Sequence, residues 1–145
     1  KVTEILNSDQ SDIDFVNEKG FTPLIIASYN GFVEMSKLIL EKGANINHQD
    51  DSGNTAIMGV CFKGNEEVVD LLLSWNADLN IQNLNGGTAL MFAAMFGHES
   101  IFEKLVKSGA DLRARNAMGL NAIDLAAQQG NQSMADLIYN LSLTY

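Results

Sequence analysis

Cysteine, histidine and basic side chains are all scarce in this chain of 145 residues, and each scarcity excludes something. The lone cysteine, Cys61, cannot form an internal disulfide, so stability must come from packing. The two histidines, His48 and His98, lie far apart, and no paired Cys/His spacing would bring ligands together on a metal ion. Lys and Arg number 9 against 18 Asp and Glu, a formal net charge of −9. Nucleic acid is therefore a poor partner, because neutralising phosphates requires a surplus of basic residues. An anionic membrane surface is disfavoured for the same reason. Membrane insertion is not expected, since no apolar run approaches the roughly 18–20 residues that a bilayer span requires. Lys1 is not an initiator methionine and no signal sequence follows it, so the expected location is cytoplasmic and upstream residues are expected to be missing. The length fits one domain on the usual scale of roughly 100–200 residues. A hydrophobic content of 46% and a charged content of 19% argue against wholesale disorder.

Glycine, by contrast, is plentiful and regularly placed. Gly20, Gly53, Gly86 and Gly119 lie 33 residues apart, and so do Gly31, Gly64, Gly97 and Gly130. Thr22, Thr55, Thr88 and Asn121 share that period, as do Ala44, Ala77 and Ala110. Leu24, Ile57, Leu90 and Ile123 keep an apolar residue in phase. Thr22 followed by Pro23 predicts a helix N-cap with proline at the first helical position, and Thr55, Thr88 and Asn121 can cap likewise. A short apolar run follows each cap and ends at a glycine suited to the left-handed conformation that stops a helix. A second helix follows, such as Val33 to Lys42, with Val33, Met35, Leu38, Ile39 and Leu40 as its apolar side. Gly43 ends that helix; Asn76 and Gly109 hold the equivalent place. The polar stretch after it, for example residues 48–53, is rich in turn residues and predicts a projecting loop or short hairpin. Neither helix can bury its apolar face alone, so neighbouring units must stack.

On these residues the chain resembles an ankyrin repeat protein. The strings GFTPLIIASYNG (20–31), GNTAIMGVCFKG (53–64), GGTALMFAAMFG (86–97) and GLNAIDLAAQQG (119–130) carry the likeness, with KGANIN, WNADLN and SGADLR at the end of the second helices. The resemblance implies an all-α solenoid of about four and a half repeats forming a single domain over 1–145. The expected units are 17–49, 50–82 and 83–115, a carboxyl-terminal capping repeat 116–145, and a partial amino-terminal repeat 1–16, in which Ile5 and Leu6 align with Leu38 and Ile39. Departures are specific. Ala56, Ala89 and Ala122 replace the family's frequent proline, and Ile25, Met58, Met91 and Asp124 replace its usual histidine. Lys104 interrupts the column Ile5, Leu38, Leu71 and Leu137, where its stem can cover a neighbour while the ammonium stays wet.

No catalytic constellation emerges. Cys61 aligns with Ser28, Ala94 and Ala127, a column of small residues that predicts a packed, inert thiol. Glu66 and Glu67 open a helix, where carboxylates complement its dipole. Gly86 and Gly87 lack the Lys-Ser/Thr of a phosphate loop. The chain is therefore expected to be a non-catalytic interaction module with no cofactor and no metal, binding a protein or peptide partner as a monomer. The alternative is a regulatory or targeting segment of a longer multidomain protein whose effector lies elsewhere.

Proteins of this kind generally bind partners through the loop tips and the exposed, concave side of the first helices. Carried onto this sequence, that set is Phe21, Tyr29, Asn30, Phe62, Lys63, Met95, Phe96 and Leu120, with the loop residues Gln49, Gln82 and Arg115. Aromatic residues and methionine on a groove suit an anchor patch. Tyr29, Phe62 and Met95 occupy one column, which leaves two placements open: an exposed row or an inter-repeat core. Phe96 stands where Asn30, Lys63 and Gln129 are polar, which favours exposure. Trp75, aligned with Lys42 and Ser108, is a possible second contact on the outer side. Charge is uneven as well: residues 1–80 carry 13 acidic and 5 basic side chains, residues 81–145 only 5 and 4.

Overall fold

The computed structural model describes residues 13–145. The partial repeat aligned through Ile5 and Leu6 therefore lies mostly outside the described residues. Eight helices run in order among them: α1 (Pro23–Tyr29), α2 (Val33–Glu41), α3 (Ala56–Lys63), α4 (Glu66–Ser74), α5 (Ala89–Met95), α6 (Glu99–Lys107), α7 (Ala122–Gln128) and α8 (Gln132–Ser142). They pair as α1 with α2, α3 with α4, α5 with α6 and α7 with α8, and like packs on like between pairs. No strand occurs among the described residues. The fold is the all-helical repeat solenoid that the 33-residue period predicts.

The caps explain where the first helices begin. The hydroxyls of Thr22 and Thr88 accept the amides of Ile25 (3.2 Å) and Met91 (3.4 Å). Asn121 accepts the amide of Asp124, whose carboxylate returns a bond to the Asn121 amide, both at 3.0 Å. Thr55 departs from the expected pattern. Its buried hydroxyl has no hydrogen-bond partner, and its amide meets the Met58 sulfur at 3.5 Å. The last turn of α4 ends on Asn76 at φ +59°, where the neighbouring repeats have Gly43 and Gly109 at +92° and +102°. An asparagine tolerates that region at a cost that glycine avoids.

Packing follows from residue size. The first-helix row is lined by small buried residues, Ala27, Ser28, Cys61, Ala93, Ala94 and Ala126, which let backbones approach closely. The second-helix row is held by larger ones, including Ile39, Val69, Leu72, Phe102, Leu105, Met134 and Ile138. The first helices pack more closely on one another than the second helices do. A stack with one tight row and one looser row curves toward the tight row, so the first helices line its concave side.

The loops are stitched by one recurring device. Asn17, Asp50, Asn83 and Asn116 each accept, through one side-chain oxygen, the amides of the residues two and four positions later. Successive loops then bond to one another: the Asp51 amide to Lys19 O, Leu84 to Ser52 O, and Ala117 to Asn85 O, at 3.1, 3.1 and 2.9 Å. A second ladder runs through the amides of Asn45, Asp78 and Asp111, which donate to Asp14, Asn47 and Asn80. Each repeat thus orders the loop of the next, and loop backbone that would otherwise need water is satisfied within the chain.

Candidate functional site: an aromatic-walled groove on the first helices

The carboxyl ends of the first helices bring three aromatic rings together across repeats. Tyr29 and Phe62 are stacked at 6.3 Å with 11° between their planes, and Phe96 meets Phe62 edge-on at 4.7 Å and 78°. Both separations lie in the range where aromatic pairs attract beyond simple area burial. The rings are nevertheless 39%, 40% and 46% exposed, whereas Met95 is half-buried. The two placements left open for this column therefore coexist: the residues pack on one another and still face solvent. The Lys63 ammonium lies 4.8 Å from the centre of the Tyr29 ring, a cation–π contact at the edge of the cluster.

A cleft of about 680 Å³ opens beside these rings, with Phe21, Ile25, Ile26, Tyr29, Asn30, Met58, Phe62 and Phe92 among its lining residues and Asp50 and Asn54 on the loop side. Gly59 lies in its floor. The equivalent positions carry Ile26, Phe92 and Leu125, so the cleft exists where one repeat omits a large side chain that the others supply. A smaller cleft of about 300 Å³ follows on the other side of Phe92, lined by Met91, Met95, Met118, Leu120 and Leu125. Neither Gly59 nor Phe92 belongs to the site expected from sequence, although the column Ile26, Gly59, Phe92, Leu125 contains the signal.

The loop residues expected at the site have internal duties. The Gln49 amide donates to Gly53 O (2.9 Å) and Gln82 O (3.3 Å), and the Gln82 amide to Gly86 O and Arg115 O (both 3.0 Å). Arg115 donates to Gly119 O at 2.7 Å and lies 3.7 Å from Asp124. The Asn30 amide caps its own helix on Ile26 O. Exposed apolar side chains stand instead at the loop tips, Leu84 at 76% and Met118 at 80%. Trp75 is exposed at the end of α4.

Groups with reactive chemistry are occupied structurally. His48 and His98 each meet a backbone carbonyl at 3.2 Å, His48 that of Gly20 in its own repeat and His98 that of Phe62 in the preceding one. Burial pushes the Cys61 thiol far above its ordinary pKa, so no thiolate is at hand. Lys104 is half-buried, as its aligned column suggests, and its ammonium reaches Glu66 (2.7 Å) and Asp70 (2.8 Å) of the preceding repeat. Those hydrogen bonds raise the Lys104 pKa. The Glu66 pKa falls, chiefly through the bond from Lys104 and then through that from Ser100. No trio of His, Cys, Asp or Glu able to hold a metal ion occurs among the described residues. No helix among them is long and apolar enough to cross a membrane.

The family model for "Ankyrin repeats (3 copies)" matches residues 1–83 and 75–144. The chain belongs to the ankyrin repeat family. It is 44% identical over 45 residues to ankyrin repeat domain-containing protein 49 of Drosophila melanogaster, covering 31% of this chain and 21% of that protein. It is 40% and 39% identical over 49 residues to ankyrin repeat and SAM domain-containing protein 6 of Danio rerio and Rattus norvegicus, covering 34% of this chain and 7% and 6% of theirs. The matched segments thus span about a fifth or less of these relatives. Ankyrin repeats are generally protein–protein interaction modules, and the family is generally non-catalytic.

Proposed function

We propose that this ankyrin repeat domain binds a partner protein through its concave first-helix face and loop tips. The observation that carries this reading is the exposed, continuous cluster of Tyr29, Phe62 and Phe96, extended by the Met95–Leu120 cleft. Apolar side chains left in water on a preordered surface gain free energy when a partner covers them, and little conformational entropy remains to be lost. The net charge of −9 argues against a phosphate backbone as the ligand. The same reading takes the chain as a cytoplasmic monomer that needs no cofactor.

The test is capture from the native source with the wild type and a Phe62→Ala/Phe96→Ala double variant, followed by affinity measurement on the captured partner. Loss of about thirtyfold or more is expected for central aromatic anchors. Unchanged affinity with an unchanged helical spectrum would remove the aromatic cluster from the interface. Quenching of Trp75 fluorescence by the same partner would add an outer contact, and an unaltered signal would retire it.

A second reading makes the repeats a targeting segment for an effector carried elsewhere on a longer protein. It is favoured by two relatives whose names pair ankyrin repeats with a SAM domain and which match over only 7% and 6% of their lengths. Cells expressing the repeats alone would then place them where the full protein resides.

A further inference from the structure

The cleft over Gly59 is both built and charged, and its charge is not required by the fold. At its loop edge, Asp50 accepts the amides of Ser52 and Asn54 at 2.9 Å, the same pair of bonds that Asn17, Asn83 and Asn116 make in the other repeats. Asparagine would therefore serve this turn equally well, yet the one repeat that opens the large cleft has a carboxylate there. Asp51 and Glu18 stand exposed on the same two loop tips, and none of the three meets a cation within ion-pair distance among the described residues. The rest of the lining is mainly apolar, with Tyr29, Phe62 and Phe92 among it, and the Lys63 ammonium lies 4.8 Å from the centre of the Tyr29 ring.

We propose that this cleft receives one segment of a partner protein, which sets a bulky apolar side chain above Gly59 and an Arg or Lys against Asp50. The proposal rests on the concave-face reading above and names the chemistry of the partner. The apolar side chain replaces the one that Ile26, Phe92 and Leu125 supply in the other repeats. The cation finds carboxylates held ready, at the edge of a low-dielectric wall where their attraction is stronger than in bulk water. A partner with an acidic residue beside its apolar anchor would meet repulsion at the same place.

Selection of a phage-displayed library of random short peptides against the full chain tests this, with the enriched peptides then synthesised and measured. The expected peptides carry a large apolar residue with Arg or Lys close by. Gly59→Leu, which plugs the cleft, should weaken them about tenfold or more. Asp50→Asn keeps the turn and removes the charge. It should weaken them about threefold to tenfold, with the difference shrinking at high salt. Glu41→Gln, at the end of α2, makes the same charge change elsewhere and should leave affinity alone. Gly59→Ala gives a second, smaller plug if Gly59→Leu does not fold. Peptides that respond to Phe62→Ala and Phe96→Ala but ignore the Gly59 and Asp50 variants would overturn the proposal and leave the concave-face reading standing. Peptides indifferent to all four positions would overturn both. A library yielding no binder, an acidic consensus, or self-association in sedimentation that Gly59→Leu abolishes would each overturn the proposal, the last by making a second copy the occupant.

Discussion

Replacing Gly59 by alanine should stabilise the domain, and the size of the effect reports whether the cleft is open. Gly59 lies inside α3 with an ordinary helical backbone, so alanine gains the full helix-propensity difference of about 0.8–1.0 kcal/mol. Against this stands one close neighbour. A Cβ at position 59 would lie 3.3 Å from Tyr29 Cδ1, and apart from its chain neighbours and its own helix backbone no other atom comes within 4 Å. The Tyr29 ring is 39% exposed and needs to shift only by a few tenths of an ångström. The net expectation is a gain of about 0.5–1 kcal/mol, or about 1–4 °C in Tm for a domain of this size. Urea unfolding should be followed by far-UV circular dichroism and by Trp75 fluorescence together, because repeat stacks can lose two-state behaviour. Trp75 caps α4, which pairs with α3, so its signal reports on the substituted repeat. A higher midpoint with unchanged slope on both signals is expected. Destabilisation would refute the reasoning, since it would mean that Tyr29 is wedged in place and the floor of the cleft is packed shut. Repeating the substitution in a Tyr29→Ala background would then restore the full propensity gain and locate the clash.

Four further outcomes follow from the packing and electrostatics. Asn76→Gly relieves a left-handed backbone at φ +59° and should add up to about 1 kcal/mol in urea unfolding. Phe102 is wholly buried in a column otherwise filled by Ser36, Val69 and Ala135, so Phe102→Ala should cost about 3–5 kcal/mol by the same assay. Cys61 should resist a thiol-labelling reagent in the native state and react fully in denaturant, because burial raises its pKa. The Lys104 cluster should make stability depend on pH at both limits. The lowered Glu66 pKa contributes above the ordinary value of 4.5 and is lost as pH falls through the folded value. The raised Lys104 pKa contributes below 10.5 and is lost as pH rises through its own folded value. Glu66→Gln should therefore flatten the acid limb of a pH–Tm profile, and added salt should shrink the difference.

Repetition makes the architecture readable in the sequence alone. A 33-residue period, a capping residue before each first helix and a turn glycine after it specify helix pairs that must stack, because each obeys local backbone physics. The placement of Asn76 in a glycine position was readable for the same reason. The candidate site was readable only in part. The column Tyr29, Phe62 and Met95, with Phe96 beside it, pointed to an aromatic patch, and the structure sets the rings of Tyr29, Phe62 and Phe96 together. Sequence alignment could not decide between packing and exposure, since rings on neighbouring repeats do both. Gln49, Gln82 and Arg115 occupy loop positions that sequence assigns to a partner, yet all three bond to a carbonyl 4 residues away, and Gln49 and Gln82 also to one 33 residues away. The 33-residue bonds close only when repeats dock.

Composition and period determined that this chain is a stacked helical repeat with an acidic amino half, and that its single cysteine cannot close an internal disulfide. Only the tertiary structure decided where the surface is hollow. A cleft is a missing side chain seen from the neighbouring repeats, and the absence at Gly59 acquires meaning only when Tyr29, Phe62 and Phe92 are brought around it and Asp50 is set at its edge.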